Sequence, residues 1–110
     1  MPQTYKVLGQ SAPNAATTAN VYTVPASTQA VVSSIVVTNR NNNANITYRL
    51  AVQPAGAALA NQHYIAYDST VTALDTVALS LGLSLGNTDV VSVYSANSNV
   101  SFSVFGVEIT

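Results

Sequence analysis

Ile46-Thr47-Tyr48-Arg49-Leu50-Ala51-Val52-Gln53 sets apolar residues at every second position. Successive side chains of extended backbone point to opposite sides, so this is the pattern of a strand with one buried face. By its phase Tyr48 belongs to the core. The same alternation recurs on either side. Val77, Leu79 and Leu81 alternate with Thr76, Ala78 and Ser80, and Val91 and Val93 with Ser92 and Tyr94.

Turn-forming clusters separate these runs: Pro25-Ala26-Ser27, Asn39 to Asn43, Gly86-Asn87 and Ser95 to Asn99. Asn bonds its own backbone and tolerates left-handed geometry, and Gly and Pro punctuate a chain. The pattern predicts about eight strands, over 4–9, 20–24, 30–39, 45–53, 62–67, 75–81, 89–95 and 100–109. Ala55 to Ala60 reads as one helical turn or a tight loop. The expected fold is all-β: a single antiparallel β-sandwich, jelly-roll-like, spanning residues 1–110.

The last strand carries a defect. Val100, Phe102 and Val104 share one phase, but Val107 and Ile109 take the other. A bulge at Phe105-Gly106 is expected to return them to the core face.

Composition narrows the function. Only Lys6, Arg40, Arg49, Asp68, Asp75, Asp89 and Glu108 carry full charges, for a net charge of -1. That is 6% charged residues, where an ordinary domain has about 25%. Three scattered cations form no phosphate-binding patch, which argues against nucleic acid and against anionic membrane surfaces. With no cysteine there is no disulfide framework and no thiolate chemistry. No run approaches the roughly 18 apolar residues of a membrane span. The first residues lack the pattern of a signal peptide, so folding in a cytoplasm is expected.

Candidate chemistry is thin. His63, the only histidine, has Asp68 five residues on and no recognisable nucleophile motif. A strand or rim histidine is the preferred reading, and no catalytic residue is assigned. Asp68, Asp75 and Asp89 lack the dense spacing of a calcium loop and read as turn caps. No metal and no cofactor are expected. The sequons at Asn45 and Asn99 are read as chance in so Asn-, Ser- and Thr-rich a chain. Six tyrosines without a tryptophan suit core packing or protein interfaces better than sugar stacking. Alternation places Tyr64 and Tyr67 on opposite faces of one strand. The near-absence of charge leaves a surface cheap to desolvate against other protein. Tyr5, Val7, Leu8, Arg40, Arg49, Tyr64 and Tyr67 are the candidate interface residues, the two arginines as rim charges. Residues 1–19 read either as a docking arm anchored by Tyr5, Val7 and Leu8 or as an edge strand of the domain itself.

Three segments carry a resemblance: Tyr22-Thr23-Val24-Pro25-Ala26, Ala30 to Asn39 and Asp89-Val90-Val91-Ser92-Val93-Tyr94. Through them the chain resembles small β-sandwich structural proteins of tailed bacteriophages, including those infecting cyanobacteria. The resemblance runs from about Tyr5 to the end and rests on strand-and-turn patterns. It implies a capsid decoration (cement) protein: a homo-oligomer, usually a trimer, that sits on the capsid surface and clamps the major capsid protein. The same resemblance allows a tail, baseplate or fibre component that binds host-surface carbohydrate.

Overall fold

All eight alternating segments form strands in the computed structural model, which describes residues 2–110. In chain order they are β1 (Gln3–Ser11), β2 (Thr17–Thr23), β3 (Gln29–Asn39), β4 (Ile46–Gln53), β5 (Tyr64–Val71), β6 (Thr76–Leu85), β7 (Val90–Ser95) and β8 (Val100–Ile109). Two single turns of 3-10 helix, Pro54–Gly56 and Asn61–His63, lie between β4 and β5. β5 and β6 each run four residues beyond their expected ends.

The pairing has a simple logic. β4 pairs with β5, β3 with β6, β2 with β7 and β1 with β8, all antiparallel. The chain is thus one long hairpin. Two further antiparallel ladders, β3 with β8 and β4 with β7, roll that hairpin into two sheets, β1-β8-β3-β6 and β2-β7-β4-β5. This is a jelly-roll sandwich. Its core joins Val32, Ile35, Val37, Phe102 and Val104 of one sheet to Tyr48, Leu50, Val91 and Val93 of the other. The Tyr48 and Phe102 rings meet edge to face, with centroids 6.2 Å apart.

One buried polar residue ties the sheets together. Asn39 ends β3 and is 1% exposed. Its Nδ2 donates to the carbonyls of Ala44 (2.9 Å) and Val71 (3.1 Å), and its Oδ1 accepts from the Asn41 N–H (2.9 Å). The side chain is fully satisfied, as a buried amide must be.

The expected bulge in the last strand is displaced onto its neighbours. β8 runs straight from Val100 to Ile109 and keeps one phase throughout. The extra residues are Ser33 on β3, between the pairs Val32↔Gly106 and Ser34↔Phe105, and Leu8 on β1, between Val7↔Phe105 and Gly9↔Val104. β3 therefore changes its buried set from Ala30 and Val32 to Ile35 and Val37. Gly106 lets the displaced Val31 carbonyl oxygen come close, where a side chain would collide with it. The consequence is functional: Glu108 shares the inner phase with buried Ala30, and Val107 and Ile109 stay on the outer face.

Candidate functional site

The residues beyond Gly106 help build the first of two surface features. Directly opposite residues on neighbouring strands share a face. On the outer face of β1-β8-β3-β6, Tyr5 stands opposite Val107, which stands opposite Val31. The next row pairs Val7 with Phe105, and the row on the other side runs Gln3, Ile109, Gln29. Tyr5 is 80% and Val7 46% exposed, and the remaining apolar members are half-buried. The result is an ordered apolar patch at one end of the sheet.

The local charges face away from it. Lys6 and Glu108 have the opposite phase, and the Lys6 ammonium meets Glu108 Oε1 at 3.2 Å. Buried Tyr22 on β2 donates its hydroxyl to Glu108 Oε2 at 2.6 Å. That bond holds the Glu108 carboxyl below its ordinary range, against the opposing effect of desolvation and with help from Lys6. Burial, then Glu108 itself, pushes the Tyr22 hydroxyl well above its usual value, so it remains a donor. The patch is left with no charge of its own.

The second feature lies on the outer face of β2-β7-β4-β5. Arg49 stands opposite Tyr94 on β7, and its guanidinium sits 4.2 Å from the Tyr67 ring centroid and 4.4 Å from that of Tyr94. Asp68 accepts from Nε at 2.7 Å and from the terminal nitrogen at 3.4 Å. This pairing raises the guanidinium pKa further above its already high value. The Tyr64 and Tyr67 rings meet edge to face at 4.8 Å, beside an open cleft of about 510 Å³ that Asn61 completes.

Tyr64 and Tyr67 thus share one face, contrary to the alternation reading. β5 gains two residues on β4, one between Ala66 and Ser69 and one between Tyr64 and Ala66. Asp68 adopts a positive φ of 51° at the first irregularity, a conformation that Asp tolerates better than most residues. Each extra residue inverts the phase, and an inverted phase is what brings positions three apart onto one face.

The proposed interface residues therefore fall in separate places. Tyr5 and Val7 belong to the apolar patch. Leu8 does not, because the β1 bulge turns it into the core, where it is 9% exposed. Arg40 lies at the far end of β8, where its guanidinium donates to Ser101 Oγ (2.9 Å) and the Ser98 carbonyl (3.0 Å) and fixes the preceding turn. Arg49, Tyr64 and Tyr67 form the second cluster. Sequence reasoning missed Val31, Phe105, Val107, Ile109 and Tyr94. The phase defect past Gly106 was the signal for two of them.

His63, Asp75 and Asp89 stabilise loops. His63 is buried, and its Nδ1 accepts the Ala60 N–H at 3.0 Å. Asp89 caps the N–H groups of Ala55 and Gly86, and Asp75 takes those of Thr76 and the Thr72 hydroxyl. Among the described residues no three His, Cys, Asp or Glu side chains converge as a metal site would require. No protein-family model matches the chain, and no curated protein matches it.

Proposed function

We propose that this chain is a structural protein of a tailed-phage virion, a decoration protein that self-associates and binds the major capsid protein on the outer shell. The observation that carries the reading is the uncharged apolar patch of Tyr5, Val7, Val31, Phe105, Val107 and Ile109. An apolar row led by exposed Tyr5 and Val7 on a small domain supports a protein contact, and aromatic residues are enriched in such contacts. With no ion in the patch, seating it on a shell subunit desolvates no charge. The resemblance in strand and turn pattern supplies the virion context. Repetition over a lattice multiplies a modest contact into a large total.

The test is copy number in purified virions by quantitative mass spectrometry. Hundreds of copies per particle support decoration of the shell. A handful moves the chain to the tail, and none rejects the proposal. Tyr5→Ser with Val107→Ser should reduce occupancy while leaving the fold intact.

A second reading has its own observation. Tyr67 is 57% exposed and is braced by Arg49 and Tyr64 beside the Asn61 cleft, an arrangement suited to stacking a sugar ring. A tail or fibre module binding host-surface carbohydrate would use this cluster. A glycan array decides: binding abolished by Tyr67→Ala supports this reading, and an array without signal removes it.

A further inference from the structure

The four sheet edges of the jelly roll are protected unequally. β1 and β2 close one side of the sandwich: Gly9 lies so near the Val21 carbonyl oxygen that a side chain there would collide with it. Both of these strands are bulged, at Leu8 and at Val21, and β1 carries Lys6. The β5 edge carries Asp68 and two bulges. Charges, bulges and coverage are the means by which proteins keep sheet edges from pairing.

β6 has far less protection. Thr76-Val77-Ala78-Leu79-Ser80-Leu81-Gly82-Leu83-Ser84-Leu85 contains no charge and no proline. Its register with β3 is irregular only around Leu81-Gly82 and regular from Thr76 to Ser80. Among the described residues, no side chain and no loop backbone hydrogen-bonds the free edge of Val77–Ser80; at its start the Thr76 N–H is held by the Asp75 carboxylate at 2.8 Å, a bond that pairing over Thr76 must exchange. Val77, Leu79, Leu81 and Leu83 point inward yet are only half-buried, because no further strand covers the sandwich there.

We infer that β6 pairs with β6 of a second copy of this chain, antiparallel over Thr76–Ser80, across a two-fold axis at Ala78. The choice of a second copy rests on the sequence of the edge. Thr76-Val77-Ala78-Leu79-Ser80 has the same chemical order in both directions: hydroxyl, aliphatic, small, aliphatic, hydroxyl. A two-fold axis at Ala78 sets Val77 opposite the second copy's Leu79, extending the half-buried aliphatic row. It sets Thr76 opposite the second copy's Ser80, a favourable hydroxyl pair, and brings only methyl groups together on the axis. Self-pairing is also where charge matters most, since any ion near the axis would meet its own image. This segment has none, and the nearest, Asp75, stands beyond its end, three residues from the axis.

The two sheets then become one of eight strands, β1-β8-β3-β6 continued by β6-β3-β8-β1 of the second copy. The axis runs perpendicular to the sheet, so both apolar patches face the same way. If the functional proposal holds, a dimer grips the shell at two points. The contact itself does not rest on that proposal. Its symmetry is two-fold, whereas the phage resemblance implies three-fold clusters.

Light scattering on the size-exclusion peak of the purified chain, at about 0.1 mM, should give twice the 11.4 kDa chain mass. Ala78 is exposed, so Ala78→Lys should keep the fold by circular dichroism and weaken self-association at least about tenfold. The chain has no cysteine, so Ala78→Cys introduces its only thiol. Opposed Cα atoms in an antiparallel pair are about 4.5–5.5 Å apart, within disulfide range, and mild oxidation should give a covalent dimer. A mass of one or three chains overturns the inference. So does a dimer indifferent to Ala78→Lys, or one cross-linked through Tyr5→Cys but not Ala78→Cys. Because these assays use the purified chain, absence from virions would reject the functional proposal and leave the contact standing.

Discussion

Replacing Asn39 should cost this domain a large part of its stability. The side chain bridges the end of β3, the following loop and the end of β5, and so joins the two sheets at that end. Asn39→Ala removes three hydrogen bonds. The Val71 carbonyl lies in the buried part of this network, and leaving such a group unsatisfied costs about 1–3 kcal/mol. Ala44 O and Asn41 N are partly wet, and losing their partner costs roughly 0.5–1 kcal/mol each. The total, about 2–5 kcal/mol, is a serious fraction of the roughly 5–15 kcal/mol that holds a small domain together. Urea unfolding followed by circular dichroism should show a lower midpoint at unchanged slope, and melting should begin roughly 10–20 °C earlier. Asn39→Asp is the sharper probe. It keeps the shape but turns an oxygen toward two carbonyls, and burial raises the pKa of the new carboxyl. The native state then holds a proton that the unfolded chain releases. Stability is therefore greatest below the unfolded Asp pKa and declines as pH rises through the folded one. A loss under about 0.5 kcal/mol for Asn39→Ala, or an Asn39→Asp variant indifferent to pH, would refute the reasoning.

Three further outcomes are expected. The wild type should lose stability in acid: the depressed Glu108 carboxyl contributes fully above the unfolded carboxylate pKa, and that contribution disappears as pH falls through the folded value. Tyr22→Phe removes the largest cause of that depression, so it should flatten the acid limb and cost about 1 kcal/mol in denaturant titrations at neutral pH. Gly106→Ala should destabilise by roughly 3 kcal/mol or fail to fold, because the added methyl meets the Val31 carbonyl and neither backbone has room to yield; a wild-type melting temperature would show that β3 does not bulge at Ser33. Self-association should change less than about threefold between low and high salt, since a contact without ions has little to screen. A steep salt dependence by analytical ultracentrifugation would place charges in the interface.

Alternation made the strands legible because the buried face of each is continuous over several residues, as in Tyr48, Leu50 and Val52 or in Val77 and Leu79. It did not reveal the bulges. A bulge depends on two strands far apart in the chain, and Ser33 and Leu8 carry no local mark of one. The defect past Gly106 was visible, and the reading that corrected it inside β8 took core placement as the only outcome for Val107 and Ile109. The structure leaves them outside and adapts the neighbouring strands. The Tyr64–Tyr67 pair was hidden for the same reason: a positive φ at Asp68 is a tertiary choice that propensity permits without requiring. Asn39 was legible as a turn former, but its bond to Val71, 32 residues away, was not.

The charges shape what kind of partner this surface admits. Lys6 pairs with Glu108 and Arg49 with Asp68. Arg40 holds the turn before β8, and Asp75 and Asp89 cap their own loops. All seven charged side chains thus have work inside the domain, fixing turns or bracing rings. Orientation between this chain and a neighbour must then come from shape, hydroxyl and amide hydrogen bonds and apolar rows, which act at short range. Such a surface gains little from electrostatic steering and associates slowly at first encounter. Its contacts also lose little to ionic strength. That combination suits the salt-insensitive self-contact inferred for β6, whose strength must come from backbone pairing and the aliphatic row of Val77 and Leu79.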